Sequence, residues 1–213
     1  MRIRQALLAI GMTVTLFTAT AATTAATAAT PAPSSVCSTE DFHGDKRLGP
    51  DRLPATGAVG RQLRGYQRTG GLGEQQFLDT YYDGTAGSWR YPPADGYLTL
   101  PDGTPLEIQQ TLLPGQRIDR YGSEYGAYLA PEGLPYPARA LPPQSLDSDP
   151  AGPCNYHVYK VAKAFTVDAG PIAPWFGQPG HGWQFQLDAR HVPGSPARLN
   201  VLWLIDNGYL ARV

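Results

Sequence analysis

Cysteine is scarce in this chain, with only Cys37 and Cys154 among 213 residues. That excludes the clustered thiolates that hold zinc or iron–sulfur groups. The chain has no HExxH pair, no Walker loop and no GxSxG nucleophile elbow, which disfavours metallohydrolase, nucleotide triphosphatase and serine hydrolase chemistry. The four histidines, His43, His157, His181 and His191, stand too far apart in sequence to announce a metal site. Charge is also sparse: Asp, Glu, Lys and Arg make up 16% of the residues and the net charge is −1, so no basic patch points to nucleic acid. Beyond the N-terminus no apolar run is long enough to span a bilayer.

Export is written at the N-terminus. Arg2 and Arg4 precede an uncharged run from Ala6 to Phe17, and an Ala/Thr tract ends at Ala26-Thr27-Ala28. Basic, apolar and small-residue regions in that order are what signal peptidase reads, so residues 1–28 are expected to be a cleaved signal peptide and the mature protein to be secreted. The run is diluted by Thr13, Thr15 and Thr18 after about a dozen residues, too short for an anchor. About 185 residues then remain, enough for one domain with a core. In an oxidising destination an isolated cysteine pair reads most simply as one disulfide between Cys37 and Cys154. Closing so long a loop contributes on the order of 4 kcal/mol in the chain-entropy account.

Glycine and proline are abundant, 24 and 21 residues. They alternate with aromatic and β-branched clusters, which predicts a turn-rich ordered fold. Residues 29–35 form a small-residue lead without periodicity. Helices are expected over Arg61–Arg68 and over Glu74–Tyr82, where Phe77, Leu78 and Tyr81 share a face. WRYPPADGYLTL, Trp89 to Leu100, reads as a Pro-braced aromatic loop entering a strand, followed by a turn at Pro101–Gly103. Residues 29–111 show no reactive constellation and are expected to support or cover something else.

The second half alternates. Tyr156–Val167 and Leu199–Ile205 read as buried strands, and in Trp183–Leu187 the apolar Trp183, Phe185 and Leu187 oppose Gln184 and Gln186. Asp206-Asn207-Gly208 is expected to turn the chain into a last short strand, Tyr209–Val213. The fold class predicted is α+β, predominantly β: a compact twisted antiparallel sheet with a few short helices from the N-terminal half.

Two segments stand out as sites. GQPGHG, Gly177 to Gly182, looks like a phosphate cradle, but Pro179 removes an amide and no helix follows. The run from Ile118 to Leu129, IDRYGSEYGAYL, places Arg120 among tyrosines and glycines. A guanidinium beside aromatics and exposed backbone suits a phosphate plus a flat ring. An ordinary turn, with Arg120 paired to Asp119 or Glu124, satisfies the same residues.

DRYGSEYGAYLAPEGLPYPARALPP and YHVYKVAKAFTVDAGPIAPWFGQPGHGWQF together resemble the tuberculosis necrotizing toxin family, whose members are NAD glycohydrolases. The resemblance is strong from Leu112 to about Leu187 and weaker to Val213. It implies that residues 112–213 are the NAD glycohydrolase domain. It further implies that Arg120 contacts the dinucleotide phosphates, with Tyr121 the aromatic beside it. Tyr128 would line the nicotinamide end, Arg139 would help hold the substrate, and Gln184 would be required for activity. His157 aligns loosely with a functional histidine. His181 stands where many members have glycine.

NAD is then the substrate, and neither a cofactor nor a metal is implied. Nicotinamide leaves as a neutral molecule from a cationic ring, so the reaction proceeds with a held pyrophosphate and without the carboxylate pair of most glycosidases. The resemblance leaves open NADP as a second substrate, a homodimer, and an inhibitor or immunity protein. Two other readings stand beside it: a secreted ADP-ribosyltransferase, which usually carries a glutamate where this chain has Gln184, and a non-enzymatic exported binding module.

Overall fold

The structure, a computed structural model, describes residues 34–213. The expected signal peptide and most of the 29–35 lead lie outside the described residues. No helix among the described residues is long and apolar enough to cross a membrane.

A seven-stranded sheet organises the fold. It comprises β3 (Ile108–Leu112), β4 (Arg117–Tyr121), β5 (Tyr128–Pro131), β6 (Tyr156–Val161), β7 (Phe165–Pro171), β8 (Trp183–Gln186) and β9 (Leu210–Arg212). Their order across the sheet is β3-β7-β8-β5-β4-β6-β9, with every neighbour antiparallel. A two-stranded ribbon, β1 (Tyr82–Asp83) and β2 (Ser88–Trp89), lies in the N-terminal half. The predominantly antiparallel architecture expected from the alternating segments is therefore present.

Both faces of the sheet are covered. On one, Ile118, Leu129, Tyr159, Val167 and Phe185 pack against Val201 and Leu204 of helix α3 (Val201–Asp206). On the other, Tyr121 packs with Tyr136, Leu146 and the Cys37–Cys154 disulfide, whose Cα atoms are 5.3 Å apart. A third cluster joins Phe77 and Leu78 of helix α2 (Glu74–Tyr81) to Trp89 and Phe176. The period-2 alternation of β8 is what lets Phe185 enter the first core while Gln184 faces the opposite side.

Several elements differ from expectation. Leu199–Ile205 is not a strand. Asn200 accepts a hydrogen bond from Trp203 N–H at 2.9 Å and caps α3, and Val201 and Leu204 are buried at helical spacing. A short apolar run with no polar interruption fits either period, and the cap decides it. One helix thus comes from the C-terminal part of the chain. Tyr156–Val167 is two strands rather than one, because the chain reverses over residues 162–164 between β6 and β7. The first predicted helix is shifted, with α1 spanning Gly57–Gln62. The last strand is trimmed to Leu210–Arg212.

Candidate active site

Strand β4 distributes its residues by parity. Asp119 and Tyr121 point to one face and Ile118 and Arg120 to the other. Asp119 is fully buried and receives Arg139 Nη1 at 2.6 Å, Arg139 Nη2 at 2.8 Å, Tyr156 O–H at 2.7 Å and Gly133 N–H at 2.8 Å. Arg139 also donates through Nε to the Leu134 carbonyl and through Nη2 to Gln62. Its side chain is 4% exposed. Where Arg139 was expected to help hold substrate, the structure places its donors on the protein, and it locks β4 to the turn after β5. Tyr121, expected beside Arg120 at the substrate, is placed on the other face of the strand. It is 3% exposed, its ring packs on Tyr136 and Tyr156 with Arg139 over its face, and it points away from Arg120.

Those pairings leave Arg120 without a carboxylate. Asp119 belongs to Arg139, and Glu124 is held by Arg212 and by the Tyr159 hydroxyl. Arg120 instead donates through Nε to the Ser123 carbonyl at 2.7 Å and through Nη1 to the Tyr128 carbonyl at 2.7 Å. These bonds are made where β4 and β5 part, since the two strands pair only at Ile118–Pro131 and Asp119–Ala130. The guanidinium fills the gap. Gly126 permits this, because a Cβ there would lie 1.9 Å from Nη2. Among the described residues Nη2 meets no acceptor. Burial works against the charge and lowers the guanidinium pKa from its usual high value, but an arginine remains protonated. A preorganised cation with a free N–H fork is what an anionic phosphate needs.

His157 sits directly across from Arg120 in the β4–β6 pairing, its Nε2 3.2 Å from Asn155 Oδ1. Burial, assisted by Arg120 and Arg212, lowers its pKa against the pull of Glu124 and so favours the uncharged ring.

Gln184 on β8 is 8% exposed. Its Nε2 donates to the Asp95 carbonyl at 3.0 Å, and among the described residues no donor meets Oε1. Tyr128 on β5 is 37% exposed, and its hydroxyl donates to Asp95 Oδ1 at 3.3 Å. Burial foremost, then the Asp95 charge, pushes that phenol up to about 12. Tyr91 is 63% exposed, its ring edge-on to Phe176, and it lies close enough for its phenol to interact with the Arg120 charge. The Trp89–Leu100 loop therefore brings Tyr91 and Asp95 to Arg120, Tyr128 and Gln184.

Sequence reasoning missed these two residues. A Pro-braced loop carries no periodicity from which to foresee which sheet residues it overlies. The one available signal was the aromatic density of WRYPPADGY.

The glycine-rich loop has a packing role instead of a phosphate-binding one. Gly180, His181 and Gly182 donate their amides to Pro137, Ile172 and Ala138. A Cβ at Gly182 would lie 2.5 Å from the Ala138 carbonyl oxygen. With its amides occupied, the loop seats β8 against the turn that carries Arg139.

A His-carboxylate group hidden by sequence distance appears beside β7. Asp168, Asp188 and His191 bring their ligand atoms within 4.8 Å of one another. His191 Nε2 is already 2.9 Å from Asp168 Oδ1, and Arg190 Nε donates to Asp188 at 2.7 Å. The cluster reads as an ion network with its own counter-charge. Two surface hollows lie outside the Gln184 side of the sheet, the second of them bordering the Gly126 segment that packs on Arg120. One of about 450 Å³ is lined by Asp41, Lys46 and Asp147, the other of about 580 Å³ by Tyr125, Asp188, Arg198 and Asn200. The candidate site is placed at the opening between β4 and β5, where Arg120 bonds the Tyr128 carbonyl and the Tyr128 and Gln184 side chains both meet Asp95.

The comparisons with known proteins bear on the same region. Residues 111–213 match the family described as Tuberculosis necrotizing toxin. The conidial surface nicotinamide adenine dinucleotide glycohydrolase of Aspergillus fumigatus is 46% identical over 173 residues, covering 80% of this chain and 70% of that protein. Tuberculosis necrotizing toxin, in its solved complex with its immunity factor, aligns at a TM-score of 0.49 and 25% identity, covering 66% of this chain and 71% of the toxin. With the relative's identity spread over most of both chains, this chain belongs to the tuberculosis necrotizing toxin family.

Proposed function

We propose that this chain is an exported NAD glycohydrolase. The observation that carries the reading is Arg120. It is a partly buried guanidinium with no carboxylate partner among the described residues, clamped by two carbonyls in the gap between β4 and β5 and connected through Tyr128 to Asp95 and Gln184. The Aspergillus relative, named for NAD glycohydrolysis, supports it.

In this reading Arg120 binds the pyrophosphate, Tyr128 packs at the nicotinamide end, and Gln184 directs its amide oxygen at the ribose hydroxyls. The C1′–N1 bond breaks with its electron pair moving onto the nicotinamide ring, which leaves neutral. Water adds its oxygen to C1′ and releases one proton, giving ADP-ribose. Because the leaving group starts as a cation, positioning and electrostatics supply the catalysis. His157, paired across from Arg120 and with burial favouring its uncharged form, adds a polar edge at the phosphate end.

Secretion through the N-terminal leader keeps the enzyme from the producing cell's own NAD. The disulfide and the surface location named for the relative agree with that destination. Purified protein incubated with NAD is expected to release nicotinamide and ADP-ribose in equal amounts. Incubation with NADP tests whether a 2′-phosphate is accepted. Mass spectrometry of proteins incubated with the enzyme and NAD tests transfer, which the reading does not expect.

A further inference from the structure

Among the described residues, Asp95 is the one bonded to the side chains of both Tyr128 and Gln184, and it lies outside the 111–213 match to the family. Its carbonyl oxygen takes the Gln184 Nε2–H, and no donor among the described residues meets Gln184 Oε1. Its carboxylate takes the Tyr128 O–H through Oδ1 and faces no cation, as no Lys, Arg or His among the described residues lies within ion-pair distance.

The backbone is bent to hold it there. Ala94, Asp95 and Gly96 all have positive φ, at 51°, 52° and 82°. Two consecutive non-glycine residues in the left-handed region are strained, and such strain persists where surrounding contacts enforce it, often at functional sites. Here the Gly96 carbonyl accepts Ala173 N–H, Leu98 N–H reaches the Pro171 carbonyl, and the Tyr97 ring is buried against Gly170.

We propose that the Asp95 carboxylate is a catalytic group for the reaction above, a fixed negative charge facing the nicotinamide ribose. The proposal rests on the NAD-cleavage reading. The bound substrate carries its positive charge on nicotinamide, and as the C1′–N1 bond breaks that charge moves to the ribosyl carbon and ring oxygen. An unpaired carboxylate beside Gln184 and Tyr128 complements the charge where it develops and repels no phosphate, because Arg120 holds the pyrophosphate at the other end. Asp95 thus does electrostatically what the second carboxylate of ordinary glycosidases does, without forming a bond to the sugar. The N-terminal region supplies part of the catalytic apparatus in addition to covering the sheet.

The test is steady-state NAD cleavage by wild type, Asp95→Asn and Tyr128→Phe, with near-UV circular dichroism on each. Asparagine tolerates the left-handed backbone and keeps an acceptor for Tyr128, so Asp95→Asn removes the charge alone. It is expected to fold and to lose about 100-fold in kcat with little change in KM. Tyr128→Phe, which keeps the charge, is expected to lose clearly less in kcat. A loss below about tenfold in folded Asp95→Asn, or an equal loss in Tyr128→Phe, overturns the proposal and leaves Asp95 as a structural acceptor. Should Asp95→Asn not fold, Asp95→Glu decides: a folded, inactive Asp95→Glu overturns the proposal, and substantial retained kcat supports it. Active wild type with active Asp95→Asn sinks this inference alone, whereas wild type that releases no nicotinamide sinks the NAD-cleavage reading beneath it.

Discussion

Arg139 and Asp119 form an ion pair sealed inside the fold, with Nη1 2.6 Å from Oδ1 and Nη2 2.8 Å from Oδ2. The pair ties β4 to the segment after β5 and so fixes the gap in which Arg120 lies. Removing either partner strands a buried charge, a change that costs about 3–5 kcal/mol. Arg139→Leu is therefore expected to lower unfolding stability in urea by that amount, and activity is expected to fall with the folded fraction. Full stability with abolished activity would return Arg139 to the substrate.

Gly126 lies against the Arg120 guanidinium. Gly126→Ala puts a methyl group where Nη2 now sits, and because the obstructed atom ends a flexible side chain, the fold yields by moving the arginine. The variant is expected to keep its melting temperature within a few degrees and to lose most NAD cleavage, with KM rising. Crystallography of the variant would show Arg120 displaced from the Ser123 and Tyr128 carbonyls.

The disulfide closes a sequence separation of 117 residues. Cys37→Ser with Cys154→Ser is expected to cost about 4–5 kcal/mol in the chain-entropy account, read from urea midpoints. Both cysteines lie in the cluster beneath Tyr121, away from Gln184, so the folded fraction of the variant should turn over NAD at the native rate.

Asp147 gives stability a pH dependence. Burial, reinforced by Asp41 and opposed by Lys46 and Arg68, raises its carboxyl from 3.8 to about 6 in the fold, and Oδ2 is buried without a partner. The folded state prefers the protonated form, so this contribution is fully present below about pH 4 and is lost as pH rises through about 6. Partial exposure limits it to on the order of 1–2 kcal/mol. Asp147→Asn is expected to flatten the profile between pH 4 and 7, as followed by urea denaturation.

Much of this arrangement was legible in the sequence, and the rest was hidden for physical reasons. The alternation of Trp183–Leu187 placed Gln184 on the polar face because period 2 admits no other assignment. Density around Arg120 marked the cleft, but parity along β4 sends Tyr121 to the opposite face, and a tyrosine beside an arginine in sequence is not beside it in a strand. Arg139 looked free because its partner, Asp119, is 20 residues earlier and joined only by tertiary structure. The α3 segment was misread because five apolar residues in a row fit either period, though Asn200 stood at its start as a cap. Asp95 was invisible for a different reason: its place depends on a loop whose path is set by prolines and left-handed residues.

Nicotinamide release from NAD by the purified, disulfide-intact protein, compared with that by Gln184→Ala, tests the central claim most directly. The account predicts turnover by the wild type and near-complete loss in a folded Gln184→Ala. A wild-type protein that releases no nicotinamide, or a Gln184→Ala variant with normal turnover, would contradict it.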